Sequence, residues 1–440
     1  MRAVLLVVLV RAALPLALEP REAEEDSDVQ EPLRGVRRCA PPMRCPPPCE
    51  WPPSVCDPRV DGRAAGRTAV IITAWGRSGT TFLGEILQRN RRFLYLYEPL
   101  RARFRAHLGQ AIVRNGEESA AFLSRVLDCQ ISLRDRVLLS KDKAALARGG
   151  LCNLARSAVT PACACKHMAV KTIRINGQLD LLIGALNGSA AGGASGAAAA
   201  SSATVDGLFE GARSAGADAT PTLSAAPHAS SVHVVHLVRD PRAILASWQQ
   251  LPGFAEFKQR SSGRAAHDVA ATLCRLGLKD RDAGLRAEAQ YARARAGSAG
   301  AARAIRYSLL RYEDLALSPI ATARQLYAWL RLPLPARLLR WINESTHASS
   351  ARRYAVRANA AHGLDAEHDP HATVRDAARI VGKWRQTLSP LHIVAATRAC
   401  DHFLRELGYE TDLALLVPEA YRELKFPFKP NALDTRRAPR

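Results

Sequence analysis

Seven consecutive residues, Gly76-Arg77-Ser78-Gly79-Thr80-Thr81-Phe82, sit between an apolar run that ends at Trp75 and a helix-like pattern, "TTFLGEILQRN". After a buried strand, the amides of such a loop and of the helix it opens converge on an anion. Gly76 and Gly79 permit tight turning and close approach. Ser78, Thr80 and Thr81 can add hydroxyl donors, and Arg77 supplies a fixed positive charge. The lysine of the usual GK[ST] phosphate loop is missing, so the chemistry calls for an anionic ligand held by arginine.

A second anion site is legible in "VVHLVRDPRAILASW". Arg239 stands where an apolar strand should end, at the carboxyl edge where open α/β sheets bind ligands. Ser247 follows eight residues later, about two helical turns on. Together they can hold a second phosphate along the helix flank. Asp240 could be misread as the metal-holding acid of an ATPase, but that reading needs the absent loop lysine.

These residues need elements to hold them. "TAVIITAW", "RFLYLYEP", "MAVKTIRI", "SVHVVHLV" and "RYSLLRYEDL" read as strands, and helical patterns follow most of them. Pro241 fits the first position of a helix, with Asp240 as its N-cap. Alternating strands and helices predict an α/β fold with a doubly wound, mainly parallel sheet. After Pro319 the pattern is mostly helical, with Trp341 and Trp384 as anchors. Residues 187–231, rich in Ala, Gly and Ser, read as a disordered surface insertion.

The rest of the chain suggests a lumenal protein. Residues 1–20 carry an apolar run between Arg2 and Arg11, readable as a signal peptide or a short signal-anchor. Residues 21–66 are Pro- and Cys-rich and read as a stem; residues 67–424 form the ordered domain, and 425–440 a basic tail. Ten cysteines, with clusters at Cys39, Cys45, Cys49, Cys56 and at Cys152, Cys163, Cys165, point to disulfides or free thiols; zinc ligation by Cys163, Cys165 and His167 is the competing reading. Sequons at Asn187 and Asn343 agree with lumenal exposure. Lys and Arg total 62 against 41 Asp and Glu, a net charge of +21 that favours polyanionic partners.

The stretches "GRSGTTF" and "LVRDPRAILAS" resemble the 5′- and 3′-phosphosulfate-binding motifs of Golgi sulfotransferases, and more narrowly of the carbohydrate 6-O-sulfotransferases acting on galactose, N-acetylglucosamine or N-acetylgalactosamine. "YLYEPL", "KTIRI", "LLRYEDLALSP" and "GKWRQTLS" add to the likeness, which runs from about residue 68 to 412. It implies the donor 3′-phosphoadenosine-5′-phosphosulfate, no required metal, an acidic glycan or glycoprotein acceptor rather than nucleic acid, and residence in the Golgi lumen, at its membrane if the leader is kept. Arg77, the loop amides and Thr80 would stabilise charge on the leaving oxygen, with Ser78 and Thr81 gripping the 5′ end. Arg239 and Ser247 would hold the 3′-phosphate.

Glu98 is the chosen general base, ending the second strand at the same sheet edge; the alternative is an ion pair with Arg101 or Arg105. His236 reads as a core histidine. Lys171 and Arg174 could face the cleft or the solvent. Arg311, Glu313 and Asp314 suggest an internal ion network. Arg379, Lys383, Trp384 and Arg385 resemble a donor-binding segment, with Trp384 otherwise a core anchor. Two rival classes are an ATP-dependent P-loop kinase and a non-catalytic polyanion-binding secreted protein. A closer rival keeps the enzyme class and moves the acceptor to a tyrosine-containing protein.

Overall fold

The computed structural model describes residues 67–103, 115–132, 135, 139, 166–191, 231–251, 263–296, 304–347 and 376–423. The leader, the stem, both cysteine clusters, Arg105, residues 192–230 and the basic tail lie outside them.

Five strands form one sheet: β1 (Thr68–Thr73), β2 (Phe93–Tyr97), β3 (His167–Thr172), β4 (Ser231–Val238) and β5 (Ala304–Arg311). The order is β2-β3-β1-β4-β5 and every pairing is parallel. β1 leads off towards β2, whereas β4 leads off the other way to β5. The neighbours β1 and β4 therefore flank a topological switch point, where open α/β sheets place their ligands. β1 is buried along its whole length, as a central parallel strand covered on both faces must be.

The helices used below are α1 (Thr80–Gln88), α2 (Gly116–Leu127), α3 (Leu179–Ala191), α4 (Pro241–Gln249), α5 (Gly263–Ala296), α6 (Tyr312–Leu317), α7 (Pro319–Leu330), α8 (Ala336–Thr346), α9 (Pro390–Ala399) and α10 (Asp401–Glu406). Strand alternation sends Ile71, Leu94, Val170 and Val234 to one face, under α2, α3 and α5. It sends Val70, Ile72, Tyr95 and Val235 to the other, under α1, α7 and α8. A third apolar cluster joins α4 and α5 to α9 and α10 around Trp248, Trp384 and Phe403. A disulfide between Cys274 of α5 and Cys400, at the α9–α10 junction, crosslinks that cluster.

Three boundaries differ from the sequence expectation. "RYSLLRYEDL" is not all strand: β5 stops at Arg311, and Tyr312 opens α6, whose first turn holds Glu313 and Asp314. Acidic residues there suit the positive end of the helix dipole. The segment at 187–231 is shorter at both ends, since α3 runs on to Ala191 and Ser231 already belongs to β4. The 34-residue α5 has no counterpart among the expected elements.

Candidate functional site at the switch point

The loop after β1 is held in an unusual backbone path. Arg77 has φ 75° and Gly79 φ 85°. Gly79 is the N-cap of α1 and makes no side-chain cap, so the amides opening α1 are left without that partner. A Cβ at Gly79 would also lie 2.3 Å from the ring of Tyr312, so glycine is required by conformation and by space. Ser78 and Thr80 are buried, whereas Arg77, Thr81 and Phe82 are half-buried. Phe82 packs on Trp341 of α8, centroids 5.8 Å apart.

The loop after β4 comes to meet it. Asp240 caps α4 by accepting from the Arg242 amide at 2.9 Å, and Pro241 takes the first helical position. Arg239 Nη1 donates to the carbonyl of Arg77 at 2.6 Å, and Arg77 Nε donates to Ser247 Oγ at 2.9 Å. Arg239, Arg77 and Ser247 thus form one connected cluster. The two anion grips expected as separate pockets share a border. The Arg239 guanidinium lies 4.5 Å over the ring of Tyr312, the same ring that abuts Gly79.

Polar atoms without partners mark where a ligand would fit. Ser78 Oγ, Arg239 Nε and Trp75 Nε1 are all buried and make no hydrogen bond. An orphaned buried donor costs on the order of 1–3 kcal/mol. Three of them beside an uncapped helix N-terminus and two guanidinium groups suit an oxygen-rich anion such as a phosphosulfate. Among the described residues no cluster of His, Cys, Asp and Glu could hold a metal ion.

Glu98 occupies the edge expected of it but lies in a closed ion cluster. It follows β2, is 5% exposed and has φ 45°. Its Oε1 is ion-paired with Lys171 Nζ, Arg174 stands 3.7 Å from Oε2, and its amide donates to the Lys171 carbonyl at 2.8 Å. Lys171 also lies 4.1 Å over the ring of Tyr97. Burial pushes the Glu98 carboxyl up, but the charge and hydrogen bond of Lys171, with Arg174 and Arg101, outweigh it and hold the group below its ordinary range. Among the described residues the close partner is therefore Lys171 rather than Arg101, and Arg105 lies outside them. Lys171 and Arg174 are buried and so are not surface decoration.

The remaining candidates separate clearly. His236 is a core residue whose Nδ1 lies 2.9 Å from the Tyr307 hydroxyl; burial, helped by Arg281, brings its pKa down to about 4. Trp384 is buried, with the guanidinium of Arg242 4.5 Å over one ring contact and that of Arg385 at 4.6 Å. Arg379 and Lys383 are exposed. Glu313 is held by Tyr409 and the Asp240 amide, and within the expected network Arg311 and Asp314 pair at 3.8 Å.

Arg242 had no role in the sequence reading. It is fully buried, binds Asp240 at 2.9 and 2.8 Å, and reaches Thr397 at 3.2 Å and the Glu410 carbonyl at 2.8 Å. The signal was its place two residues after Asp240, within reach of the capping carboxylate. Asp240 is thereby committed to α4 and Arg242, which removes the metal-holding reading.

A parallel sheet with two anion-directed loops at its switch point is an open α/β fold with its ligand edge at those loops. The family model described as "Sulfotransferase family" matches residues 221–336, which include β4, Arg239 and Ser247. The relatives that the chain matches are carbohydrate sulfotransferases. Carbohydrate sulfotransferase 5 of Mus musculus is 33% identical over 42% of this chain and 43% of its own length. Carbohydrate sulfotransferase 6 of Homo sapiens is 32% identical over 41% and 42%, and carbohydrate sulfotransferase 1 of Rattus norvegicus 29% identical over 41% and 39%. The aligned part spans less than half the length of each of these relatives. Among solved structures, the sulfotransferase domain from the curacin biosynthetic pathway aligns over 78% of this chain and 98% of its own, at TM-score 0.37 and 15% identity, too loosely to bear on the assignment.

Proposed function

We propose that this chain transfers a sulfuryl group from 3′-phosphoadenosine-5′-phosphosulfate to a sugar hydroxyl, the 6-OH of galactose, N-acetylglucosamine or N-acetylgalactosamine, on an acidic glycan or glycoprotein. The observation that carries this reading is the bridge Arg239–Arg77–Ser247 between the two strand-end loops, surrounded by buried donors that lack partners. The names of the relatives supply the carbohydrate acceptor.

The donor supplies an activated sulfuryl group; transfer forms an oxygen–sulfur bond to the acceptor, breaks the bridging bond to phosphate and releases the acceptor's proton. In this scheme Arg77, the loop amides and Thr80 stabilise the charge left on the phosphate, while Ser78 and Thr81 hold the 5′ end. Arg239 and Ser247 hold the 3′-phosphate. Glu98, ionised throughout the neutral range, is the proposed proton acceptor; its partners Lys171 and Arg174 make it a weak one. The Cys274–Cys400 disulfide supports residence in an oxidising compartment, and the Golgi lumen, with a retained leader as anchor, is the location we propose.

The test is a panel of desulfated keratan, desulfated chondroitin and N-acetylglucosamine-terminated acceptors with labelled donor, followed by analysis of the position modified. Label at a sugar 6-OH is the expected product. Label on a protein tyrosine, or on none of the panel, would remove the proposed acceptor.

A further inference from the structure

The residues that aim Arg239 are not those that would touch a ligand. α6 begins directly after β5, and its first two residues face both loops. Tyr312 presents one ring to Gly79 of the first loop and to the guanidinium of Arg239 of the second. Glu313, 7% exposed, accepts from the Asp240 amide at 3.1 Å and from the Tyr409 hydroxyl at 2.7 Å. The Asp240 amide belongs to the peptide that joins it to Arg239, so Glu313 grips the backbone carrying that arginine.

The grip is itself braced. Arg311 lies 4.5 Å over the Tyr409 ring and donates to the Leu407 carbonyl at 2.9 Å. Tyr409 stacks on Phe403 of α10, and Arg242 ties Asp240 to Thr397 and the Glu410 carbonyl. Burial holds the Glu313 carboxyl above its ordinary range despite the donors from Tyr409 and Asp240. A buried acid at that disadvantage, held by one backbone amide and one hydroxyl, is a poor way to stabilise a fold and a direct way to fix a peptide plane.

We propose that Glu313 and Tyr409 are positioning residues that set the direction of Arg239, and that Tyr312 sets the spacing between the two donor loops, so that the C-terminal segment governs donor affinity without contacting the donor. This rests on the donor site proposed above. It predicts that removing the Glu313 acceptor loosens nucleotide binding in molecules that remain folded.

The experiment measures the Kd of adenosine 3′,5′-bisphosphate by calorimetry, well below the melting temperature of each variant. The variants are Glu313→Ala, Glu313→Gln and Tyr409→Phe, with Leu182→Ala in α3 as a remote destabilised control. Glu313→Ala should raise Kd about tenfold and Tyr409→Phe about threefold, the scale of one lost hydrogen bond or less. Glu313→Gln keeps an oxygen for the Asp240 amide and should stay within about threefold. Leu182→Ala should lower the melting temperature and leave Kd unchanged. A wild-type Kd retained by both Glu313→Ala and Tyr409→Phe overturns the positioning role. If Glu313→Ala does not fold, unchanged affinity in Tyr409→Phe is sufficient to do so. No affinity in the wild type overturns the donor site itself, and the positioning role with it.

Discussion

Single residues carry the site, and their substitution separates grip from scaffold. Arg239→Ala removes a guanidinium that makes one backbone bond and stacks on Tyr312, so it should weaken donor binding by roughly 10- to 100-fold, as loss of a charge-assisted contact does, with little change in melting temperature. Glu98→Gln behaves differently. It leaves Lys171 and Arg174 buried without their counter-charge, and breaking such a pair costs about 3–5 kcal/mol. Thermal denaturation should show that loss; wild-type stability with abolished turnover would instead single out the proton-acceptor role. The sign of the pH effect follows from the lowered carboxyl. Its stabilisation is present above the unfolded carboxylate range and is lost as pH falls through the folded value. The loop residues, Arg239 and Ser247 were legible because glycine, hydroxyl and arginine at a strand end have few other uses. Glu98's true partner was not, since Lys171 is 73 positions away and only the β2–β3 register brings them together.

At the scale of elements, two crosslinks hold long-range contacts that no local pattern announces. Cys274 and Cys400 are 126 residues apart, and a closed loop of that size stabilises by about 4–5 kcal/mol in the chain-entropy picture. Replacing both cysteines by serine should lower the melting temperature accordingly; a shift of only a degree or two would show that the α5–α9 packing suffices alone. Asp280 of α5 accepts from the amides of Gly177 and Leu179 at 2.7 and 3.0 Å and so anchors the start of α3. Burial raises its pKa to about 6. The strands and α1, α3 and α4 could be read from apolar runs, turn residues and the Asp-Pro start. α5 could not, because its alanines and arginines give a weak apolar stripe, and its buried side is defined by what it meets. Tyr307 of β5 packs so closely that a Cβ at Gly284 would lie 2.1 Å from its ring.

The whole molecule should be acid-sensitive for a reason distinct from its carboxylates. His233 and His236 of β4 are buried, and desolvation brings each to a pKa of about 4, with Arg306 and Arg331 adding to the shift at His233 and Arg281 at His236. A base whose folded pKa is lowered contributes stability that is present above the unfolded value, about 6.5, and is lost as pH falls towards 4. Denaturant titrations across that window should show each imidazole lowering stability as pH falls, partly offset by Asp280, whose carboxyl burial raises to about 6, and a His236→Gln variant should lose less stability toward acid than the wild type. An acid loss in His236→Gln equal to that of the wild type would mean that this imidazole does not stay neutral through burial. The parallel sheet was foreseeable from alternation alone, but its order was not. Five parallel strands admit many orders, and this one follows from which helix covers which face.

The bond from Arg77 to Ser247 also joins the two ends of the site. The serine oxygen accepts that bond, so its own proton stays available to a phosphate and both contacts can exist at once. One hydroxyl would then link the remote phosphate to the cation assigned to the opposite end of the nucleotide. Adenosine 5′-phosphosulfate, which lacks the remote phosphate, should be the poorer donor, and Ser247→Ala should narrow the difference by removing the shared hydroxyl.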